Sequence, residues 1–241
     1  MIPQIIHYCW FGGGRYSKLV KRCIMSWNKK LPAYEIKCWN EDTFNLDNAP
    51  QYVKDAYKMH KYAFVSDYVR LYALYHEGGV YLDTDVEVLK DFTSLLHSDV
   101  VMGYESEVQI STAFIASIPK SVRIKKLLDS YSSRHFIRED ASLDMTTNVS
   151  SISASLRAEG VELDGKYVKY KDLEIYPQEF FSPRNWDDGK YHTTSNTYVI
   201  HYFQGSWHSP FTKFLSLFFS NYKVYQIAGY KEKLIKLLSR R

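Results

Sequence analysis

Two aspartates one residue apart, Asp83 and Asp85, follow a short apolar run at residues 80–82. In extended chain alternate side chains point the same way, so both carboxylates project to one side. Two acids so placed repel each other unless a cation sits between or beside them. Hard divalent ions such as Mn²⁺ or Mg²⁺ take carboxylate oxygens and keep positions open for diphosphate oxygens. An ion held there would neutralise charge on a departing nucleoside diphosphate. The spacing alone is weak, because Asp-x-Asp is common in turns where Asp bonds to nearby amides. Its setting adds weight. Gly78-Gly79 breaks the chain just before the apolar run, and ligand sites in open α/β sheets lie at the C-terminal ends of strands.

Other residues of chemical interest surround this pair. Ser66, Asp67 and Arg70 stand in an otherwise apolar, aromatic helical stretch. Asp67 and Arg70 are three apart and share a face. Two readings fit that spacing: an intrahelical ion pair, or an Asp67 that accepts from sugar or ribose hydroxyls. In the second, Arg70 binds a sugar hydroxyl or the diphosphate. Trp10 ends an apolar run just before Phe11 and Gly12-Gly13-Gly14. It suits either core packing or stacking on a ligand. The glycines could cradle phosphate, but no Lys-Ser/Thr follows them, which excludes a P-loop. His201 ends a predicted strand, where a capping hydrogen bond and metal ligation both fit. His7 reads as structural. No Ser-His-Asp or Cys-His arrangement stands out.

The elements that must position these groups follow from periodicity. Residues 2–11 read as a buried strand opening onto the glycine loop, 17–30 as a helix and 34–39 as a strand. This is a βαβ unit, which implies parallel strands with covering helices. Residues 61–77 form a predicted helix stopped by Gly78-Gly79, and 80–82 a strand that runs into the acids. Extended chain is expected at 86–89, strands at 100–104, 110–117, 173–176 and 197–202, and helices at 121–132 and 148–159. Residues 1–210 are expected to form one α/β catalytic domain, and 211–241 a helical appendage with apolar-basic stretches at 211–222 and 230–238.

Composition sets limits. The 241 residues allow one large α/β domain, and 45% hydrophobic with 24% charged residues is ordinary for a globular chain. Aromatics reach 16%, with 21 Tyr. That suits sugar and nucleoside recognition, though an aromatic core would give the same figure. A net charge of +4 is mild and does not argue for nucleic acid, which is not an expected partner. From Phe211 onward seven basic residues face Glu232 alone. The apolar face of Phe211, Phe214, Leu215, Phe218 and Tyr222 could pack on the domain or lie on an anionic membrane surface. Three cysteines without a CxxC pair point to a reduced, cytoplasmic setting, at the inner face of the cell membrane where the tail meets lipid. The start lacks the pattern of a signal peptide, and no apolar run is long enough to span a bilayer.

The run from Ala63 to Asp85, with Ser66-Asp67, Arg70, Gly78-Gly79 and Asp83-Thr84-Asp85 in place, resembles the DXD-containing sugar transferases. That family groups the fungal initiation-specific α-1,6-mannosyltransferase with bacterial capsular and lipopolysaccharide transferases, and more distantly the glucosylating clostridial toxins. Residues 2–10, Ser26-Trp27 with 34–39, and His201 with Gly205-Ser206-Trp207 resemble further segments of it. The resemblance implies a GT-A type, Rossmann-like α/β fold with a mixed central sheet and C-terminal helices. It implies a retaining, metal-dependent hexosyltransferase using Mn²⁺ or Mg²⁺. The donor would be a UDP-sugar first and GDP-mannose second. The acceptor would be a glycan or lipid-linked oligosaccharide in polysaccharide, capsule or lipopolysaccharide biosynthesis. Carried over by position, Trp10 would stack on the base, and Ser66, Asp67 and Arg70 would hold the donor sugar. Asp83 would contact ribose and metal-bound water, and Asp85 would ligate the metal directly. His201 or Ser206 would complete the metal shell, and Trp207 would bond the β-phosphate. The chain departs from the family at Ser111-Thr112, where relatives often carry Asn, and at 145–148, where they often carry Thr-Gly-Pro. Both departures are expected near the acceptor side. A non-catalytic carbohydrate- or Ca²⁺-binding module using the same acids is the alternative.

Overall fold

The computed structural model describes residues 1–204, so Ser206, Trp207 and the predicted tail helices lie outside the described residues. Strand β1 (Ile5–Cys9), helix α1 (Lys18–Lys30) and strand β2 (Glu35–Trp39) form the expected parallel βαβ unit, with Ile5 opposite Glu35 and Cys9 opposite Trp39. Ser17 starts α1 by accepting a hydrogen bond from the Val20 amide at 3.2 Å. Helix α2 (Gln51–Lys58) then packs on α3 (Tyr62–Glu77), which leads to β3 (Gly79–Leu82) on the other side of β1. Strand β4 (Val86–Val88) follows, then β5 (Val100–Ser106) and β6 (Gln109–Ser117) as an antiparallel pair. Helices α4 (Val122–Asp129) and α5 (Asn148–Ala158), strands β7 (Val168–Tyr170) and β8 (Leu173–Tyr176), the one-turn helix α6 (Gln178–Phe181) and β9 (Val199–His201) complete the described chain.

The central sheet has seven strands in the order β2-β1-β3-β6-β5-β8-β7 and is mixed, as the α/β expectation required. The chain winds from β1 to β2 on one side and returns to β3 on the other. The crevice at the C-terminal ends of β1 and β3 is therefore a topological switch point. Trp10 follows β1 there and Asp83 follows β3. Strand β4 leaves the sheet and pairs with β9, placing Val86 opposite His201.

Apolar side chains alternate across the sheet into two cores. In β3, Val80 and Leu82 join Ile6, Trp27 and Phe114 on the α1 side, while Tyr81 joins Phe64, Val69, Met102 and Ile115 on the α3 side. Helix α3 is buried almost all round, which explains its weak amphipathic pattern. Helix α2, β7 and α6 were not predicted. Their lengths are 8, 3 and 4 residues, too short for periodicity to separate from loop.

The Gly-Gly break is a steric requirement. Gly79 has φ +98°, and a Cβ there would lie 2.6 Å from the Ile5 carbonyl oxygen. Gly79→Ala is expected to cost about 2 kcal/mol or more, read as a lowered denaturation midpoint. An unchanged midpoint would show that β1 and β3 can separate without penalty.

Candidate active site

Helix α3 delivers Asp67 and Arg70 to the sheet edge where β3 ends. Arg70 is 4% exposed. Its Nη2 lies 3.0 Å from Asp67 Oδ1 and 3.3 Å from Asp83 Oδ1. Its Nη1 donates to the Thr112 carbonyl at 2.6 Å and its Nε to the Ser66 carbonyl at 3.2 Å. The guanidinium also stands 4.6 Å from the Tyr81 ring centroid. Burial opposes this charge, but Asp83, Tyr81 and Asp67 together hold Arg70 firmly protonated. Of the two sequence readings of the Asp67–Arg70 spacing, the arrangement shows the ion pair. It bridges to the first acid of the Asp-Thr-Asp run.

Asp67 is buried, and burial raises its carboxyl against the pull of Arg70. Asn148, the first residue of α5, anchors it. The Asn148 amide donates to Asp67 Oδ2 at 3.3 Å and its Nδ2 to the Asp67 carbonyl at 2.7 Å. Tyr131 donates to Asn148 Oδ1 at 2.6 Å. Thr112 and Asn148, from the two segments expected to differ from the resembled pattern, therefore both touch the Asp67–Arg70 pair. Asn148→Ala should cost about 2 kcal/mol, since it leaves buried partners unsatisfied. Chemical denaturation reads this directly, and a change within error would show that water replaces the amide.

The two acids sit in different surroundings. Asp83 accepts from the Tyr81 hydroxyl at 2.9 Å, and its amide bonds to the Ala113 carbonyl at 3.0 Å. Asp85 accepts from the Gln204 amide at 2.8 Å through Oδ2, while Oδ1 lies 3.4 Å from His201 Nε2. Burial pushes the Asp85 carboxyl up, but His201 and the Gln204 amide overcome it and hold it below the usual range. Burial disfavours charge on His201 as well, yet Asp85, then Asp83 and Glu105, raise it. The β4–β9 register places this histidine beside the acids from a point far along the chain. Its Nδ1 is buried without a partner. Asp83, Asp85 and His201 each offer one ligand atom, all within 4.8 Å of one another. Two carboxylates and an imidazole are a donor set that fits a divalent cation.

The other predicted residues are placed less directly. Trp10 is half-buried at the end of β1. Its indole N–H donates to the Gly14 carbonyl at 2.7 Å and its ring meets Tyr16 edge-on at 4.7 Å. Ser66 donates its hydroxyl back to the Tyr62 carbonyl at 3.0 Å. His7 is structural, as expected. Trp39 donates to its Nδ1 at 3.1 Å, so its Nε2–H donates to the Gly78 carbonyl at 2.7 Å. Burial lowers its pKa, which keeps it neutral. Cys9, beneath the site, has its thiol pushed up to about 12 by burial and stays protonated.

Residues 17–102 match the family described as glycosyltransferase sugar-binding region containing DXD motif. That stretch of the chain is similar to the sugar-binding region of the DXD-motif glycosyltransferases. The chain is 24% identical over 92% of its length to an uncharacterized glycosyltransferase, L373, of Acanthamoeba polyphaga mimivirus, covering 89% of that protein. Over 49% of its length it is 30% identical to inositol phosphoceramide mannosyltransferase 2 of Schizosaccharomyces pombe, and there it spans only 35% of the relative. Among solved structures, a galactosyltransferase, LgtC, in complex with donor and acceptor sugar analogs aligns over 94% of this chain and 95% of its own, with 15% identity and a TM-score of 0.48.

The DXD acids have neighbours that sequence reasoning missed. Tyr81 was read only as a strand residue, though its hydroxyl holds Asp83. Glu105 is the next-to-last residue of β5, which runs parallel to β3 because β6 is antiparallel to both. Its carboxyl is raised by burial and by Asp83, with His201 and Arg70 opposing. An acid continuing the apolar run 100–104 was the available signal, but only the strand order brings it to the DXD edge. Among the described residues no helix is long and apolar enough to cross a membrane.

Proposed function

We propose that this protein is a glycosyltransferase that moves a hexose from a nucleoside-diphosphate sugar to a hydroxyl of a glycan or lipid-linked oligosaccharide with retention of anomeric configuration. The convergence of Asp83, Asp85 and His201 within 4.8 Å at the end of β3 carries this reading. Asp85 and His201 would hold Mn²⁺ or Mg²⁺, and Asp83 would face the ribose and the cation's water. The cation supplies positive charge that stabilises the diphosphate leaving group. Arg70 and Asp67 fix the donor sugar, Arg70 chiefly by locking Asp67 and Asp83 in place. Trp10 stacks on the base across the β1–β3 crevice. By the resemblance, His201 or Ser206 would complete the metal shell and Trp207 would donate to the β-phosphate.

In the reaction the bond from C1 to the β-phosphate oxygen breaks, and the acceptor oxygen bonds to C1 on the same face. The acceptor proton passes to a diphosphate oxygen. Front-face attack needs no protein nucleophile, so positioning and electrostatic stabilisation supply most of the rate. A UDP-sugar is the first donor assigned. GDP-mannose is the second, favoured by the match to a mannosyltransferase. Residues 1–210 are the catalytic domain in this reading. The basic tail at 211–241 meets the anionic inner face of the cell membrane, where a lipid-linked acceptor in polysaccharide, capsule or lipopolysaccharide synthesis resides. A donor screen by mass spectrometry of released nucleotide tests the reading, with the product anomer assigned by NMR. UDP release and a retained anomer are expected. An inverted anomer contradicts front-face attack.

A further inference from the structure

We propose that Glu105, Arg184, Trp186 and Phe203 form the acceptor subsite, which takes a hexose ring of a glycan against aromatic faces and a sugar hydroxyl on the Glu105 carboxylate. This rests on the glycosyltransferase reading above and assigns the side of the site that the donor leaves open. The donor crevice lies between β1 and β3. Glu105 lies at the same edge of the sheet, beyond β6, on the side away from β1.

Trp186 is held there by its indole N–H, which donates to the Glu105 carbonyl at 2.9 Å. It remains 37% exposed. Its ring meets Phe203 edge-on at 4.9 Å, and Phe203 in turn lies 3.9 Å from the His201 ring. An aromatic path thus runs from a proposed metal ligand to solvent. The Arg184 guanidinium sits 5.1 Å from the Trp186 ring centroid and 5.3 Å from that of Phe203, and its Nε is buried without a partner.

Two features of this corner call for a ligand. The Glu105 carboxylate is half-buried near Asp83, His201 and Arg70, and among the described residues no donor hydrogen-bonds to it. A carboxylate withdrawn from water without a donor is costly, and a sugar hydroxyl supplies one. Phe203 has φ 49°, a left-handed conformation that a bulky side chain rarely adopts. It is held there by flanking bonds, from the Tyr202 amide to the Asp85 carbonyl at 3.0 Å and from the Gln204 amide to Asp85 Oδ2 at 2.8 Å. The strain keeps the ring against His201 and in line with Trp186. Pyranose rings present C–H faces to aromatic planes and hydroxyls to carboxylate and guanidinium, and this corner offers all three.

The test uses the full chain with two probes. Methyl glycosides of glucose, galactose and mannose are titrated by saturation-transfer NMR, and UDP and GDP with Mn²⁺ are followed by thermal shift. Trp186→Ala should weaken glycoside binding about tenfold and leave the nucleotide shift at its wild-type value. Glu105→Ala should weaken it comparably, and Trp186→Phe should restore most of the loss. Equal glycoside binding by wild type and Trp186→Ala overturns the inference, as does a wild type that binds none of the glycosides. It is also overturned if Trp186→Ala abolishes the nucleotide shift. A wild type with no manganese-dependent nucleotide shift overturns the donor reading instead, and the glycoside comparison still decides this one.

Discussion

Asp85→Ala should abolish manganese-dependent nucleotide binding and lower turnover about a thousandfold, with the fold intact. The carboxylate does three things at once. It faces His201 at 3.4 Å, accepts the Gln204 amide at 2.8 Å, and contributes to the cluster in which Asp83 also stands. Alanine leaves one imidazole and one acid, and Asp83 is already shared with Arg70 and Tyr81. The structural loss is confined to the Gln204 amide bond and the His201 contact, so circular dichroism and the melting profile should stay close to wild type. Steady-state turnover and nucleotide binding with added Mn²⁺ read the effect. A variant that turns over donor at near wild-type rate would place the metal elsewhere.

Arg70→Met should act on stability as strongly as Asp85→Ala acts on activity. Arg70 is nearly inaccessible and joins Asp67, Asp83, Thr112, Ser66 and the face of Tyr81. Methionine fills much of the volume but leaves the Asp67 carboxylate buried without its cation. Breaking a buried pair from one side costs about 3–5 kcal/mol. The loss should depend on pH with a defined sign. Burial already raises Asp67 above its unfolded value, and removing Arg70 raises it further. A carboxyl whose folded pKa exceeds its unfolded pKa binds more protons when folded, so stability falls as pH rises through that window. Denaturation of Arg70→Met should therefore show stability partly regained on acidification from neutral pH. A penalty independent of pH would mean that Asp67 finds another cation or reaches water.

The strongest sequence signals were the ones the fold honours most closely. The Asp-x-Asp run after an apolar strand, the Gly-Gly break and the Asp67/Arg70 spacing all fall within one continuous stretch. Local periodicity therefore carries their geometry, and α3 and β3 place them as expected. His201 was legible as a strand-end histidine, but its partner was not. Its approach to Asp85 depends on the β4–β9 register, a long-range pairing that no local pattern encodes. Glu105 and Asn148 were missed for the same reason. One reaches the DXD edge through the order of β3, β6 and β5, and the other through the docking of α5 on α3. Trp10 shows the converse. Its place after β1 was legible, while its indole hydrogen bond to Gly14 is a detail of a glycine-rich loop that spacing does not determine.

The central claim is that Asp83, Asp85 and His201 hold a cation on which the nucleotide diphosphate depends. The most direct measurement is the affinity of wild-type protein for UDP by calorimetry, with Mn²⁺ and again after chelation. UDP should bind with Mn²⁺ present, lose at least about tenfold in affinity on chelation, and recover when Mn²⁺ is restored. UDP that binds equally well in the presence of chelator would contradict the account.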